Sequence, residues 1–324
     1  MRETVIFLMG FIFSFFPITH TLSQSQKVEF RYENFRIIYP AEEENLSKIV
    51  IQNLETRVTQ YESFFAMPLK GIVIIEIPGS PAEYQAGLQE RLPIWSNGYF
   101  SSSRKAIILK KPEWYMNPED FGVVFRHELV HAYFHSKFQV TPTPLWLNEG
   151  LAEYLAGKWI GIEEGMLLSN ALFSKNLVTL TDLDSLNYFN SMRARLAYLE
   201  SLTAVTFLEN QLRQNGVSWQ HFFDLILNHG FEESLKLTTS YDLIDFEIAW
   251  YRWLKETYRW FLIFNWENLI WLIIIIILLG SMYGIRYRNR KILEEWEGQE
   301  NQEKDNLADS ITLDSSEESE RKLE

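Results

Sequence analysis

Residues 269–285 read LIWLIIIIILLGSMYGI, seventeen positions without a charge. A bilayer core asks for about 17–25 consecutive apolar residues in a helix, and this run meets the lower end. Trp266, Trp271 and Tyr283 stand where interfacial aromatics belong, and Arg286, Arg288, Arg290 and Lys291 follow at once. The sequence therefore predicts one transmembrane helix over 266–285, with the basic side and residues 286–324 in the cytoplasm. A buried core helix is the alternative, but nothing amphipathic marks the run and a basic cluster ends it. A second apolar stretch, Val5 to Phe16, follows a single arginine and precedes Pro17. It is too short to span comfortably. With Thr21-Leu22-Ser23 as a small-residue cleavage pattern, it predicts a signal peptide over 1–23, an uncleaved anchor being the alternative. Together the two segments place residues 24–258 outside the cytoplasm, in the periplasm or extracellular space, on a single-pass cell-membrane protein.

Charge and cysteine content narrow the chemistry. The chain has no cysteine, which removes thiol nucleophiles, thiolate metal sites and disulfides. Residues 292–324 carry twelve Asp/Glu against three Lys/Arg, so most of the net charge of −13 belongs to the tail. That tail is expected to be a disordered, solvated acidic segment whose cytoplasmic partner the sequence does not name. The rest is only mildly acidic and has no basic footprint for nucleic acid.

The exported region changes character along its length. VEFRYENFRIIYP alternates like a strand or hairpin, and residues 42–65 turn to helical periodicity. GIVIIEIPGS predicts a buried strand, AEYQAGLQERL a short helix, and NGYFSSS and KAIILKK two further strands. From Asn117 the pattern is helical almost to the membrane. Strands first and helices later predict an α+β domain, with an N-terminal mixed-sheet lobe and a helical C-terminal lobe.

Within the helical part, VVFRHELVHAYF (123–134) sets His127 and His131 four apart on one helix face, with Glu128 about 100° around the axis. Asn117 as cap, Pro118 at the first position, and Glu119 and Asp120 in the first turn start that helix. Two neutral imidazoles so placed can hold one zinc ion while the carboxylate accepts a proton from an attacking water. Two histidines on a half-buried helix are the bland alternative. The following text, TPTPLWLNEGLAEYLAG, offers Thr143 as cap, Pro144 at the first position and Gly157 as a stop. It again carries a polar pair four apart, Glu149 and Glu153. Two apolar helices that each carry such a pair need a cation between them, since uncompensated buried charge is costly. Glu149 is then the third zinc ligand, and Glu153 accepts from the distal nitrogen of a ligand histidine. Solvent-facing glutamates are the alternative.

HELVHAYF followed by WLNEGLAEYLAG resembles the gluzincin metallopeptidases, the group of thermolysin and the membrane-alanyl-type aminopeptidases. It is especially similar to the bacterial peptidase-MA-like domains. The resemblance covers about residues 30–230. It implies a zincin-like, thermolysin-type catalytic domain, one Zn2+ on His127, His131 and Glu149, Glu128 as general base, and Glu153 orienting a ligand histidine. It also implies an oxyanion donor well downstream, for which Tyr198 in RARLAYLESLTAVTFLENQL is the candidate, with Ser201 on the same face. Tyr198 as an ordinary core residue is the rival reading, and Tyr154 points away from the ligand face. His135 continues the histidine row a turn further on and is read as structural. The metzincin pattern fails, because Phe134 and Lys137 stand where it needs glycine and histidine.

The acidic motif by which the aminopeptidases hold a free amine has no counterpart in SNGYFSSSRK. The expected activity is therefore that of a membrane-tethered zinc endopeptidase acting on envelope or extracellular proteins. Two other functions stay open: a membrane-anchored binding or scaffold protein with a structural or degenerate zinc site, and a zinc amidase acting on cell-wall material.

Overall fold

The computed structural model describes residues 26–88, 96–114, 120–183, 189–264 and 266–321, so the expected signal segment and the Asn117–Glu119 cap lie outside the described residues. The described residues form a mixed α/β structure that groups into two compact units. One comprises the residues up to Trp159 together with Leu177–Tyr251, the other Ile160–Asn176 together with Arg252 onward.

The first unit begins with a hairpin, β1 (Lys27–Tyr32) and β2 (Phe35–Pro40). On β2, Phe35, Ile37 and Tyr39 are buried while Arg36 faces water, as period-two alternation requires. Helix α1 (Glu44–Phe65) returns the chain to β3 (Val73–Glu76), which runs parallel to β2. After α2 (Pro81–Gly87) come β4 (Gly98–Ser101) and β5 (Ala106–Leu109). The sheet order is β1-β2-β3-β5-β4, parallel in the centre and antiparallel at both edges. All four residues of β5 are buried, the apolar run expected of an inner strand. Strand β4 is left as an edge.

Helices follow: α3 (Asp120–Phe138), α4 (Leu145–Leu155), α5 (Ile162–Ser174), α6 (Ser191–Gln214), α7 (Trp219–His229), α8 (Phe231–Thr239), α9 (Leu243–Tyr258) and α10 (Trp266–Arg321). Aromatic rings fasten the helical part of the first unit. Phe65 of α1 stacks on Tyr133 of α3 at 5.8 Å and on Phe223 of α7 at 5.6 Å. Trp146 of α4 stacks on Phe246 of α9 at 5.6 Å. Where α4 crosses α6, a side chain at Gly150 would collide with the backbone of Ser201, so only glycine permits the close approach.

Two expectations need correction. Thr143 does not cap α4: Pro144 adopts φ −66°, ψ 145° at the cap position, and no side chain accepts there. Pro144 takes an extended rather than helical conformation, so the first helical residue is Leu145. The tail also differs from the expected disordered segment, because α10 continues as helix to Arg321. Its composition is rich in helix-forming Glu, Gln and Lys, and the four-apart pairs Arg290–Glu294 and Glu300–Lys304 add local support. Within α10, Leu269–Gln302 is by length and composition apolar enough to cross a membrane, and its most apolar stretch is not buried.

Candidate metal centre

Helices α3 and α4 bring the polar pairs together, and their approach is fixed at the end of α4. Gly157 takes φ +83°, the left-handed conformation that glycine adopts without cost, and the amides of Gly157 and Lys158 bond back to Tyr154 and Glu153. The last carbonyls of α4 find partners on neighbouring helices. Tyr61 of α1 donates to Leu155 O at 2.9 Å, and Arg126 of α3 donates through Nε to Ala156 O at 2.9 Å. Arg126 precedes His127, so one contact sets the position of α4 against the helix carrying the histidines.

The result is a convergence of three atoms. His127 Nε2 and His131 Nε2 lie 3.0 Å apart, and Glu149 Oε2 lies 3.4 Å from the first and 3.5 Å from the second. These three residues are the grouping of metal-ligating side chains found among the described residues. The outer nitrogens are both engaged. His127 Nδ1 is 3.3 Å from Glu153 Oε1, and His131 Nδ1 is 2.9 Å from Asn148 Oδ1. A carboxylate and an amide oxygen can only accept, so each Nδ1 carries the hydrogen. In a neutral imidazole the lone pair then sits on Nε2. Two such lone pairs face Glu149 Oε2, a buried oxygen with no hydrogen-bond partner. Three acceptors directed at one point repel unless positive charge lies among them, as protons or as a metal ion.

Zinc fits this set. Tetrahedral ligands at bond lengths of about 2.0–2.1 Å lie about 3.3 Å from one another, and the three separations here run from 3.0 to 3.5 Å. Electrostatics agree. Burial works against a charged imidazole, yet the carboxylates of Glu149 and Glu153 raise His127 to about 10. His131 is raised too, chiefly by Glu149, against the same burial. Burial would raise the Glu149 carboxyl, but His131 and His127 hold it well below the usual range. The carboxylates thus favour positive charge on the imidazoles, carried by protons where no metal is bound and displaced by a metal ion that takes their place.

Glu128 is buried beside the cluster, and burial raises its pKa despite a hydrogen bond from the Phe100 amide of edge strand β4. Tyr198 of α6 sets its ring 6.0 Å from that of His127, edge-on. Burial first, then the three glutamates, push the phenol up, so it keeps its proton as a donor. A cleft of about 180 Å3 is lined by Gly98, Val124, His127, Glu128, Lys158 and Tyr198 among others. Ser201 does not share it, being buried under α4 at Gly150. His135 lies 5.9 Å from the Phe100 ring and outside the three-residue cluster. Tyr154 faces the charges of Glu209 and Arg213 on α6.

Two participants escaped the sequence reading. Asn148 precedes Glu149 directly, and its amide carried no periodic signal. Lys158, whose Nζ lies 2.9 Å from Glu153 Oε2, stands just after the Gly157 stop, outside any periodic segment. Compared with protein-family models and with curated proteins, the chain matches none.

Proposed function

We propose that the protein is a membrane-tethered zinc metallopeptidase of the gluzincin type, with a zincin-like catalytic domain outside the cytoplasm and α10 as the anchor. The observation that carries this reading is the convergence of two Nε2 atoms and a buried carboxylate oxygen without a hydrogen-bond partner, beside a second buried carboxylate, Glu128. His127, His131 and Glu149 would hold the ion. When bound, zinc supplies a Lewis acid and a water whose pKa falls towards about 7. Glu128 accepts a proton from the attacking water and returns it to the departing amine as the peptide C–N bond breaks. Tyr198 donates its hydroxyl hydrogen to the oxygen on which charge develops. Glu153 and Asn148 keep the imidazoles in the binding tautomer, and Lys158 holds Glu153 ionised. Edge strand β4 has no strand on its outer side among the described residues, and an extended peptide would lie along that side. With no acidic side chain in SNGYFSSSRK to hold a free amine, an internal peptide bond is the favoured target.

The test compares purified full-length chains for zinc content and casein cleavage. Glu128→Gln is expected to keep one zinc per chain and lose about 10²–10⁴ in rate, the span of a general base. His131→Ala and Glu149→Ala should lose the metal. Undiminished cleavage by Glu128→Gln would end the enzymatic reading, and zinc retained by both ligand variants would end the site.

A further inference from the structure

Helix α5 and the chain leading into α10 belong to one compact unit. The inner face of α5 grips that chain: Ser169 donates to the Tyr258 carbonyl, and Gly165 lies against the Phe261 ring. Directly beside that inner face, the flank of α5 turned outward is apolar, and the exposed Glu163, Asn170 and Ser174 continue around the helix from it. Ile162 is 60% exposed and Phe173 82% exposed, with Met166 half-buried between them. At 100° per residue these three fall within about 40° of one another around the helix. Trp260, in the 3-10 turn Arg259–Phe264 against which α5 packs, is 57% exposed and lies under the Arg259 guanidinium at 4.8 Å. Large apolar side chains gathered outward on one short helix mark an interaction surface.

The occupant follows from what the gripped chain becomes. Eight residues after Phe261, the uncharged run 269–285 begins, and from Ile270 onward its side chains are exposed all round the helix. Eight residues reach at most about 26–29 Å even fully extended, so the contact between α5 and Phe261 stays near the start of that run. Trp260 paired with Arg259 suits the headgroup level, where an aromatic ring and a cation on a long stem each keep one end apolar and one end wet. We propose that α5 is an interfacial helix whose Ile162–Met166–Phe173 stripe, with Trp260, lies in the boundary between headgroups and acyl chains of a phospholipid bilayer. A face of this kind sinks about 5–10 Å into the interface. This rests on the reading of α10 as a membrane anchor. It adds a second membrane contact that restrains the unit against the lipid surface instead of leaving it on a free tether.

The chain has no cysteine, so single probes can be placed without background. Full-length Ile162→Cys, Phe173→Cys and Ile277→Cys, each labelled with a polarity-sensitive fluorophore, are reconstituted into phosphatidylcholine–phosphatidylglycerol vesicles. Quenching is compared among aqueous iodide, a headgroup spin label and a spin label near the acyl terminus. The expected result is loss of emission with the headgroup label and protection from iodide at 162 and 173, and loss with the deep label at 277. Deep quenching at 277 with iodide quenching at 162 and 173 overturns the interfacial helix and leaves the anchor standing. Absence of lipid quenching at 277 removes the anchor, and the interfacial helix with it.

Discussion

Helices α4 and α10 break the ordinary partition between core and surface in opposite directions. In α4, seven of eleven residues are buried, and Glu153 is among them. In α10, the described side chains from Ile270 onward are exposed, although a run of isoleucine and leucine lies among them. A buried carboxylate loses its hydration and needs a cation or strong donors in return. An exposed apolar helix orders water along its length and needs an apolar surrounding. On the reading proposed above, each helix meets a component that is not polypeptide, a metal ion for one and a lipid bilayer for the other. The same secondary structure serves both because backbone hydrogen bonds are satisfied internally, leaving the side chains to choose the environment.

The largest effect is expected at α10. Ile274→Arg combined with Ile276→Arg places two cations in the centre of the apolar run, at about 2.5–3.5 kcal/mol each. The doubly substituted chain should leave the membrane fraction after alkaline carbonate extraction, while zinc content stays at wild type. Retention in the membrane would break the contrast by showing that the apolar run of α10 is not what holds the chain there.

The next effect belongs to the site. Tyr198→Phe should bind zinc normally and lower kcat by about 10²–10³ with little change in KM, as for loss of one oxyanion donor. Turnover within twofold of wild type would return Tyr198 to the role of a packing residue. A smaller effect is expected at the tautomer-setting amide: Asn148→Ala should weaken zinc about 10–100-fold in competition with a chelator. Unchanged zinc affinity would mean that the His131 tautomer is set by the metal alone.

The smallest effect separates two ways of burying a carboxylate. Glu200 of α6 is fully buried, accepts from the Val178 amide at 3.1 Å, and is raised by burial to about 8. A carboxyl whose folded pKa exceeds its unfolded value of about 4.3 stabilises the fold at low pH and loses that contribution as pH rises through about 8. Glu200→Gln should therefore flatten the fall of Tm between pH 5 and 8, with about 1–2 kcal/mol gained at pH 8 after discounting for relaxation of the interior. An unchanged slope would show that Glu200 is ionised in the fold and is held by charge, as Glu149 is.

Much of the architecture could be read from sequence because it is local. Alternation placed β1 and β2, a Pro-Gly turn closed β3, and i, i+4 spacing put His127 beside His131 and Glu149 in line with Glu153. The uncharged run 269–285 needed only counting. The strand order β1-β2-β3-β5-β4 could not be read, because pairing is decided by contacts between residues far apart in the chain. Whether Pro144 stands at the cap or in the first turn is not legible in sequence, because proline is compatible with both until its backbone angles are known.

The sequence alone determined which side chains share a helix face, since that depends only on 3.6 residues per turn. It also determined that a stretch near the C-terminus is too apolar for water. The tertiary structure decided which of those faces meet. Arg126 and Tyr61 fix the end of α4, and that placement points Glu149 rather than Glu153 at the two Nε2 atoms. It likewise assigned Glu153 to His127 and Asn148 to His131. Such choices turn on shifts of an ångström between packed helices, and no periodicity within a single helix encodes the distance to its neighbour.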